Sequence, residues 1–368
     1  MGMDLPMKTI LDVTVCTHSR GGVGRWVKGL SKGLFLAGGS HVSMDVAETH
    51  LGLVSDVPGA TVVKPPVWMK MPLLRRILLA RGLLESTRAS RIQKQLGRPD
   101  VIHLSGVQPL GNARRKVVTF FDDTPWTSPE SHTQDTLFYA KQLESLVASG
   151  AFVLAISKWA QSSAQKLFNI PVERTGYAGG SAGEMFTPGK PDPDVMRKFD
   201  LIPGDYFLHV GSFVPRKNIP FLVRSFGRAD TGKKLVLAGA EKWGDTSVES
   251  TPGVVFLKGV SDGDLLSLYR GTLALLLPSS TEGLGLTVLE AFACHTPVIA
   301  SDGGALPDTV GKNGLLLPVL ETDHWVRAIK ETASGIILNS LRERAAAAPQ
   351  VTWKDVGNRA MDFYRSIL

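Results

Sequence analysis

Residues 273–317 read LALLLPSSTEGLGLTVLEAFACHTPVIASDGGALPDTVGKNGLLL, and the stretch changes character every few residues. The uncharged run LALLL stops at Pro278, as is typical of a strand that is buried on both faces of a parallel sheet. Residues 279–281 are good helix N-cap residues, and apolar residues then recur at helical spacing until Pro297. The stretch therefore predicts strand, turn, helix and strand, the repeating unit of a doubly wound α/β sheet.

The turn in this stretch predicts a binding site for an anion. Gly283 and Gly285 allow the backbone to approach a ligand closely. The free N–H groups and the positive dipole end of the following helix favour negative charge there. Glu282 and Glu290 flank the turn. Beside a bound anion, these carboxylates are not suited to pair with the ligand's charge, but they can accept hydrogen bonds from sugar hydroxyls. From the residues alone, a capping or solvated role for each glutamate stays open.

The composition is that of a globular protein with room for two cores. The chain has 368 residues, of which 43% are hydrophobic and 20% are charged. Cys16 and Cys294 both lie in apolar segments, which predicts buried thiols in a reducing compartment rather than a disulfide framework. No signal peptide and no membrane span is predicted, so we expect a cytoplasmic location.

A basic amphipathic stretch covers residues 64–98. It contains nine basic residues against the single acid Glu85, whereas the formal charge of the whole chain is +7. Tryptophan, methionine and leucine residues alternate with the charges, as in helices that lie on anionic lipid. Packing of the leucine face on its own domain is the alternative. Nucleic acid is not expected as a partner, because no recognition module accompanies the charge.

Alternating strands and helices predict two domains. The first half has candidate strands at residues 9–17, 42–46, 101–104, 116–121 and 151–156, and the second half begins a new set at Tyr206. The Pro- and Asp-rich segment PGKPDPD lies between the two sets and is expected to link them. We therefore expect a first domain at 1–187, a second domain at 195–350, and a terminal helix at 353–368 that packs back on the first.

Two adjacent cations, Arg216 and Lys217, follow the first strand of the second set in the sequence VGSFVPRKN. A leaving diphosphate gains charge as its bond breaks, and fixed cations beside an anion pocket would stabilise that charge. A solvated pair of loop residues is the alternative.

These motifs together resemble the nucleotide-sugar glycosyltransferases of family 4. The resemblance rests on VGSFVPRKN followed by PSSTEGLGLTVLEAFACHTPVIASDGGALPDTVG, and it covers nearly the whole chain. GGVGRW resembles the first loop of the mannosyltransferase-like branch, and VVTFFDDTPW resembles its His-Asp-x-x-Pro segment. The family implies the GT-B fold, two Rossmann-like doubly wound domains facing across a cleft. It also implies a retaining hexosyltransferase.

The resemblance implies a role for each matched residue. The donor, a GDP-mannose-like or UDP-sugar, would be bound by the second domain and by the first glycine-rich loop, with contacts from Gly21, Gly22, Gly211, Arg216, Lys217, Val260, Gly283, Leu284, Gly285, Leu286 and Glu290. Glu282, Arg216, Lys217 and Asp122 would act in catalysis, and Arg25, Asp122 and Asp123 would bind the acceptor. No cofactor and no metal is expected. The acceptor would be a glycan or a lipid-linked molecule in polysaccharide or lipopolysaccharide biosynthesis. The basic stretch would then hold the protein peripherally on the inner face of the membrane.

Departures from the family keep two other functions open. Phe121 stands where many relatives have histidine, His295 replaces a common glycine, and Asp308 replaces a common glutamate. Phe121 cannot hydrogen-bond a sugar or move a proton, which favours a catalytically weakened sugar-nucleotide-binding protein. A GT-B nucleotide-sugar epimerase would share the architecture but would need no acceptor surface. The spellings Asp-x-Asp at 192–194 and 262–264 are expected to be structural rather than metal sites.

Overall fold

A computed structural model of the protein describes residues 7–13, 15, 21–38, 40–45, 60–62, 98–106, 113–239 and 251–368. The chain forms two compact units. The first comprises Met1–Gly180 with Thr352–Leu368, and the second comprises Ser181–Val351.

A seven-stranded parallel sheet forms the centre of the first unit. Its strands are β1 (Lys8–Asp12), β2 (Ser40–Asp45), β3 (Ala60–Val62), β4 (Val101–Leu104), β5 (Arg115–Phe120), β6 (Phe152–Ala155) and β7 (Thr175–Tyr177), in the order β3-β2-β1-β4-β5-β6-β7. The described helices between them are α1 (Gly22–Leu36), α2 (Thr124–Thr127), α3 (Gln134–Ala148) and α4 (Lys158–Phe168). The order reverses at β1, so the sheet is doubly wound.

The second unit is built on a six-stranded parallel sheet. Its strands are β8 (Tyr206–Val210), β9 (Lys234–Ala238), β10 (Val254–Leu257), β11 (Leu275–Leu277), β12 (Val298–Ser301) and β13 (Leu315–Leu317), in the order β10-β9-β8-β11-β12-β13. Its helices are α5 (Pro193–Lys198), α6 (Ile219–Ala229), α7 (Asp262–Gly271), α8 (Leu286–Ala293), α9 (Leu306–Val310), α10 (Thr322–Ala333) and α11 (Leu338–Ala346). The predicted architecture, two Rossmann-like α/β domains, is confirmed.

The apolar runs of the sequence become strands that are buried on both faces. All three residues of β11 are inaccessible to solvent, with one core between the sheet and α7, α8 and another between the sheet and α6, α10. Short strands without charge are stable only in this setting, where helices cover both faces of the sheet. The same arrangement brings the carboxyl ends of β8 and β11 side by side, because the two strands are neighbours.

The terminal helix α12 (Trp353–Ser366) packs against α1 in the first unit. Glycines make this approach possible, since an added Cβ at Gly33 would overlap the carbonyl of Trp353, and one at Gly357 would overlap the backbone of Gly33. The far end of α12 is held by Arg115, whose Nε donates to the Ile367 carbonyl at 2.6 Å. The helix therefore belongs to the compact first unit although the second unit precedes it in the chain.

The division between the units lies after Gly180, upstream of the segment PGKPDPD in which sequence analysis placed the link. Side chains of α7 bind that segment to the second unit. Arg270 donates to the Thr187 carbonyl at 2.9 Å, and Ser267 Oγ accepts from the Asp192 amide at 3.2 Å. A segment rich in proline and aspartate can thus be an anchored part of a domain.

Two expectations about secondary structure need correction. The first strand was predicted for residues 9–17 but ends at Asp12. Residues 279–281 do not cap a helix, because α8 begins only at Leu286, after Gly285. Gly285 has φ +85°, a left-handed conformation that glycine adopts without strain, and this conformation sets the start of the helix.

Two further predictions concern residues that the structure does not describe. Nearly all of the basic stretch 64–98 lies outside the described ranges, as do Cys16 and Glu85. Within the described ranges, no helix has both the length and the apolar character needed to cross a bilayer.

Candidate active site

The turn between β11 and α8 is organised around the Glu282 side chain. Ser279 Oγ donates to Glu282 Oε1 at 2.7 Å, and both side chains are buried. The backbone of the turn is held from the other side by the residues after β12, where the Ala305 amide donates to the Glu282 carbonyl at 2.8 Å. Gly304 has φ +61°, and a Cβ there would lie 2.6 Å from the Glu282 amide nitrogen. Only a glycine allows the two loops to approach this closely.

The loop after β8 brings two cations to the same carboxylate. The short 3₁₀ helix Pro215–Lys217 places Arg216 Nη1 at 3.0 Å from both the Thr281 carbonyl and Glu282 Oε2. Lys217 Nζ donates to Glu282 Oε1. The two loops are also joined through Asn218, whose Nδ2 donates to the Pro278 carbonyl at 2.8 Å. The structure thus unites three predicted site residues in one ion cluster.

The charges in this cluster stabilise one another. Burial by itself raises the pKa of Glu282, but the charges of Lys217 and Arg216, together with hydrogen bonds from Lys217 and Ser279, outweigh burial and hold that pKa well below its usual range. The carboxylate is therefore ionised at neutral pH, and two cations surround one anion. The cluster retains a net positive charge, which suits an anionic ligand.

His209 lies close to the cluster, one residue before the end of β8. It is fully buried, and its Nδ1 lies 2.9 Å from the Leu276 carbonyl, to which the ring donates. Within the described part of the chain, its Nε2 has no hydrogen-bond partner. Burial and the nearby Lys217 charge lower the pKa of His209 to about 4, so the ring is neutral at physiological pH. Gly211, at φ +152°, lies beside the side chains of His209 and Lys217.

The helix α8 adds backbone and side-chain groups to the site. No side chain caps Gly285, so the first turn of α8 presents amide groups that have no intrahelical acceptor. Further along the helix, Glu290 Oε2 accepts a hydrogen bond of 2.8 Å from the Tyr269 hydroxyl, and both residues are buried. Val260, half-buried, lies just before α7. The predicted donor-site residues Gly283, Leu284 and Leu286 all lie in this turn or at the start of α8.

Predicted site residues of the first unit lie at the carboxyl ends of its strands and at the start of α1. Gly21 and Gly22 are exposed and begin α1, and Arg25 lies in the first turn of that helix. Asp122 and Asp123 follow β5 directly but have different partners. Thr124 donates to Asp122 Oδ1 through both its amide, at 3.1 Å, and its hydroxyl, at 2.5 Å. Asp123 Oδ2 accepts from Ser163 on α4.

The departures from the family pattern have clear structural settings. Phe121 makes an edge-to-face contact with the buried Trp26, at a centroid distance of 5.8 Å. His295 has φ +58°, which explains why glycine is common at that position, and its side chain is exposed. Asp308 lies in the first turn of α9, where the positive end of the helix dipole stabilises a carboxylate.

In each of the two Asp-x-Asp motifs, an aspartate takes part in capping a helix. Asp192 accepts from the Asp194 amide as the N-cap of α5, and Asp264 forms a capping box with Ser261 at the start of α7. Across the ranges that the structure describes, no three His, Cys, Asp or Glu side chains are grouped as metal ligands. Independence from metal stays a prediction about the activity.

Several residues that contribute to the second unit's site were not predicted from the sequence. Ser279 was interpreted as a helix cap, whereas its hydroxyl binds Glu282. His209 stands out in the apolar strand YFLHV, which is a usable signal for a buried polar group at a strand end. Gly304 belongs to a glycine pair that directly follows β12, which is also a signal. Nothing in the sequence marks Tyr269 as a partner of Glu290.

Comparison with known proteins agrees with this arrangement. Residues 204–334 match the family model described as Glycosyl transferases group 1. This chain is a GT-B glycosyltransferase. The resemblance that the motifs suggested, and the assignment to a hexosyltransferase, are thereby confirmed.

Curated relatives and a solved structure extend the match beyond that domain. O-antigen chain mannosyltransferase B of Escherichia coli is 28% identical over 274 residues, which are 68% of this chain and 70% of that protein. O-antigen chain mannosyltransferase RfbU of Salmonella typhimurium is 27% identical over 59% of this chain and 60% of its own. The fold is that of HepE from Anabaena, solved with UDP and glucose, with a TM-score of 0.69, 16% identity, and coverage of 98% of this chain and 100% of that chain.

Proposed function

We propose that the protein transfers a hexosyl group, with retention of configuration, from a nucleotide-diphosphate sugar to a glycan or lipid-linked acceptor in O-antigen-like polysaccharide biosynthesis. The observation that carries the proposal is the ion cluster of Arg216, Lys217 and Glu282 beside the uncapped start of α8. The names of the two O-antigen mannosyltransferase relatives support mannose or a related hexose as the group transferred.

The donor would bind the second unit through opposite charges and hydroxyl contacts. Arg216, Lys217 and the amides at the start of α8 would bind the diphosphate, because cations and a helix N-terminus both stabilise the charge that grows on the leaving group. Glu282 would accept hydrogen bonds from the transferred sugar. Glu290, oriented by Tyr269, would accept hydrogen bonds from the ribose hydroxyls. The cations supply the charge that a metal ion supplies elsewhere, so we propose activity without metal.

The acceptor would bind the first unit. Asp122 and Arg25 both lie at the carboxyl end of the parallel sheet, the edge where doubly wound folds bind ligands. We propose that Asp122 receives the hydrogen bond of the acceptor hydroxyl. We also propose that the basic stretch 64–98 holds the protein on anionic membranes that carry the acceptor, and binding to anionic vesicles at low salt tests that part independently.

Nucleotide binding tests the donor site. Thermal unfolding is measured with GDP, UDP, ADP and dTDP, each with and without EDTA, on the wild type and on Arg216→Ala. A nucleotide at one hundred times its dissociation constant stabilises the folded state by about 2.7 kcal/mol. We expect one nucleotide to stabilise the wild type in EDTA and to have little effect on Arg216→Ala. The matched control is Arg224→Ala, an exposed arginine on α6 of the same unit, which should respond as the wild type does.

Transfer itself is tested with the nucleotide-sugar of the base that binds. We expect labelled sugar to appear on a lipid-linked acceptor with the anomeric configuration of the donor. Formation of an isomeric nucleotide-sugar without acceptor would support the epimerase instead. Nucleotide binding without either product would leave a sugar-nucleotide-binding protein, and no binding at all would refute the donor site.

A further inference from the structure

The carboxylate of Asp122 is held by one oxygen and open at the other. Oδ1 accepts two hydrogen bonds from Thr124, one from the amide at 3.1 Å and one from the hydroxyl at 2.5 Å. Oδ2 has no partner among the residues that the structure describes, and the side chain is only partly buried. Both donors belong to a residue at the start of α2, so they fix the plane of the carboxylate relative to β5.

A histidine continues this chain of hydrogen bonds. His132 Nε2 lies 2.9 Å from Thr124 Oγ1. An ionised carboxylate can only accept, so the single hydroxyl proton of Thr124 is directed at Asp122. His132 must then donate its Nε2 hydrogen to the hydroxyl oxygen. The direction of the whole chain is therefore settled as His132 to Thr124 to Asp122.

Burial makes the middle link dependable. Thr124 is 3% exposed, so water does not compete for its hydroxyl, whereas Asp122 and His132 are both partly accessible. Hydrogen bonds in series strengthen one another when the environment is shielded from water. The donor from His132 thus strengthens the hydrogen bond that restrains Oδ1.

We propose that Thr124 and His132 are positioning residues that aim Oδ2 of Asp122 at the acceptor hydroxyl. The inference rests on the proposed function, in which Asp122 contacts the acceptor. Thr124 and His132 touch no substrate themselves and take part in no covalent step. They hold one oxygen of the carboxylate so that the other accepts the hydrogen bond from the attacking hydroxyl in a fixed direction. Misdirection of a reacting group by about 1 Å can lower a rate about a hundredfold.

Matched substitutions separate this role from a structural one. Thr124→Val removes the hydroxyl but keeps the shape, and Thr124→Ser restores the hydroxyl. His132→Phe removes the donor, and His132→Gln returns an N–H to the end of a flexible side chain. We expect Thr124→Val to lower kcat for transfer by about 10- to 100-fold, His132→Phe to lower it by less, and the serine and glutamine variants to recover most of the loss. The donor KM should stay unchanged in all four.

The double variant provides the sharpest readout. If His132 acts only through Thr124, adding His132→Phe to Thr124→Val produces no further loss of kcat. Full multiplication of the two losses would overturn the serial arrangement, and a wild-type kcat in Thr124→Val would overturn the proposal. If Thr124→Val does not fold, as judged by its thermal unfolding, His132→Phe against His132→Gln decides in the same way.

Donor binding distinguishes failure of this inference from failure of the proposed function. Thermal stabilisation by the nucleotide is measured on each variant. Normal nucleotide binding together with unimpaired transfer in the variants would overturn the positioning role alone. Absence of nucleotide binding and of transfer in the wild type would refute the proposed function, and the positioning role with it.

Discussion

Removal of the Lys217 ammonium tests whether the buried ion cluster stabilises the second unit. In Lys217→Met the carboxylate of Glu282 stays buried, with its side chain 9% exposed, and keeps Arg216 as its charge partner. Breaking a buried ion pair by removing one partner costs about 3–5 kcal/mol when the other charge is left uncompensated. Because Arg216 still neutralises Glu282 in this variant, the lower end of that range, about 3 kcal/mol, applies. We expect the second unit to lose about that much stability at pH 7.5.

The loss is best measured by native-state hydrogen exchange of the peptides that contain β8 and β11, because these strands belong to the affected unit. A loss of 3 kcal/mol corresponds to exchange that is faster by about two orders of magnitude. Lys233→Met is the matched control. Lys233 pairs with Asp205 at 2.7 Å, but the two side chains are 27% and 38% exposed, so we expect a loss below about 1 kcal/mol.

Two results would refute this reasoning. One is an equal effect of Lys217→Met and Lys233→Met. The other is additivity of Lys217→Met and Glu282→Gln, since removing both charges should relieve part of the penalty and leave a coupling of about 1–3 kcal/mol. The pH dependence has a definite sign. The depressed pKa of Glu282 stabilises the wild type above the usual glutamate pKa of about 4.3. That stability is lost as the pH falls further, so wild type and variant should converge in acid.

Three further predictions address packing, the second glutamate and the buried histidine. Gly33→Ala should destabilise the first unit by about 1–3 kcal/mol in urea unfolding because its Cβ overlaps the terminal helix, whereas Gly227→Ala, with open space around it, should not; equal effects would contradict this packing. Tyr269→Phe should lower the free energy of unfolding by about 1–3 kcal/mol, because Glu290 loses a buried hydrogen-bond donor. It should also weaken nucleotide binding measured by calorimetry, and an unchanged affinity would argue against a contact between Glu290 and the ribose. As the pH falls from 6.5 to about 4, the unfolded state protonates His209 but the folded state does not, so the protein should lose up to about 1.4 kcal/mol of stability per pH unit. The Tm should fall accordingly, and it should fall less steeply in His209→Gln.

Sequence patterns were reliable where a local cause determines the structure. The strand at 101–104 was predicted with its observed bounds. The helix predicted to begin at residue 353 begins at Trp353, where the Thr352 side chain caps it by accepting from the Asp355 amide. A strand that is buried on both faces requires a continuous apolar run, which is visible in the sequence. A helix start requires a hydrogen-bond acceptor for its first amides, and a capping residue nearby in the chain supplies it. The N-cap predicted for 279–281 was wrong for the converse reason. The hydroxyl of Ser279 has a stronger partner in the ionised Glu282, and no local pattern shows that choice.

The sequence by itself determined the class of fold, the repeating unit and the residue types of the proposed donor site, because hydrophobic periodicity and the glycine-rich turn are properties of short segments. Tertiary structure alone decided which groups meet. Lys217 and Glu282 are joined across 65 positions, and His103 lies 2.6 Å from the Tyr364 hydroxyl across 261. Such pairs depend on strand order and on glycines that let backbones approach, and neither is encoded in the neighbourhood of the paired residues. The charge state of Glu282 follows from that meeting, since burial and cations act on it through space.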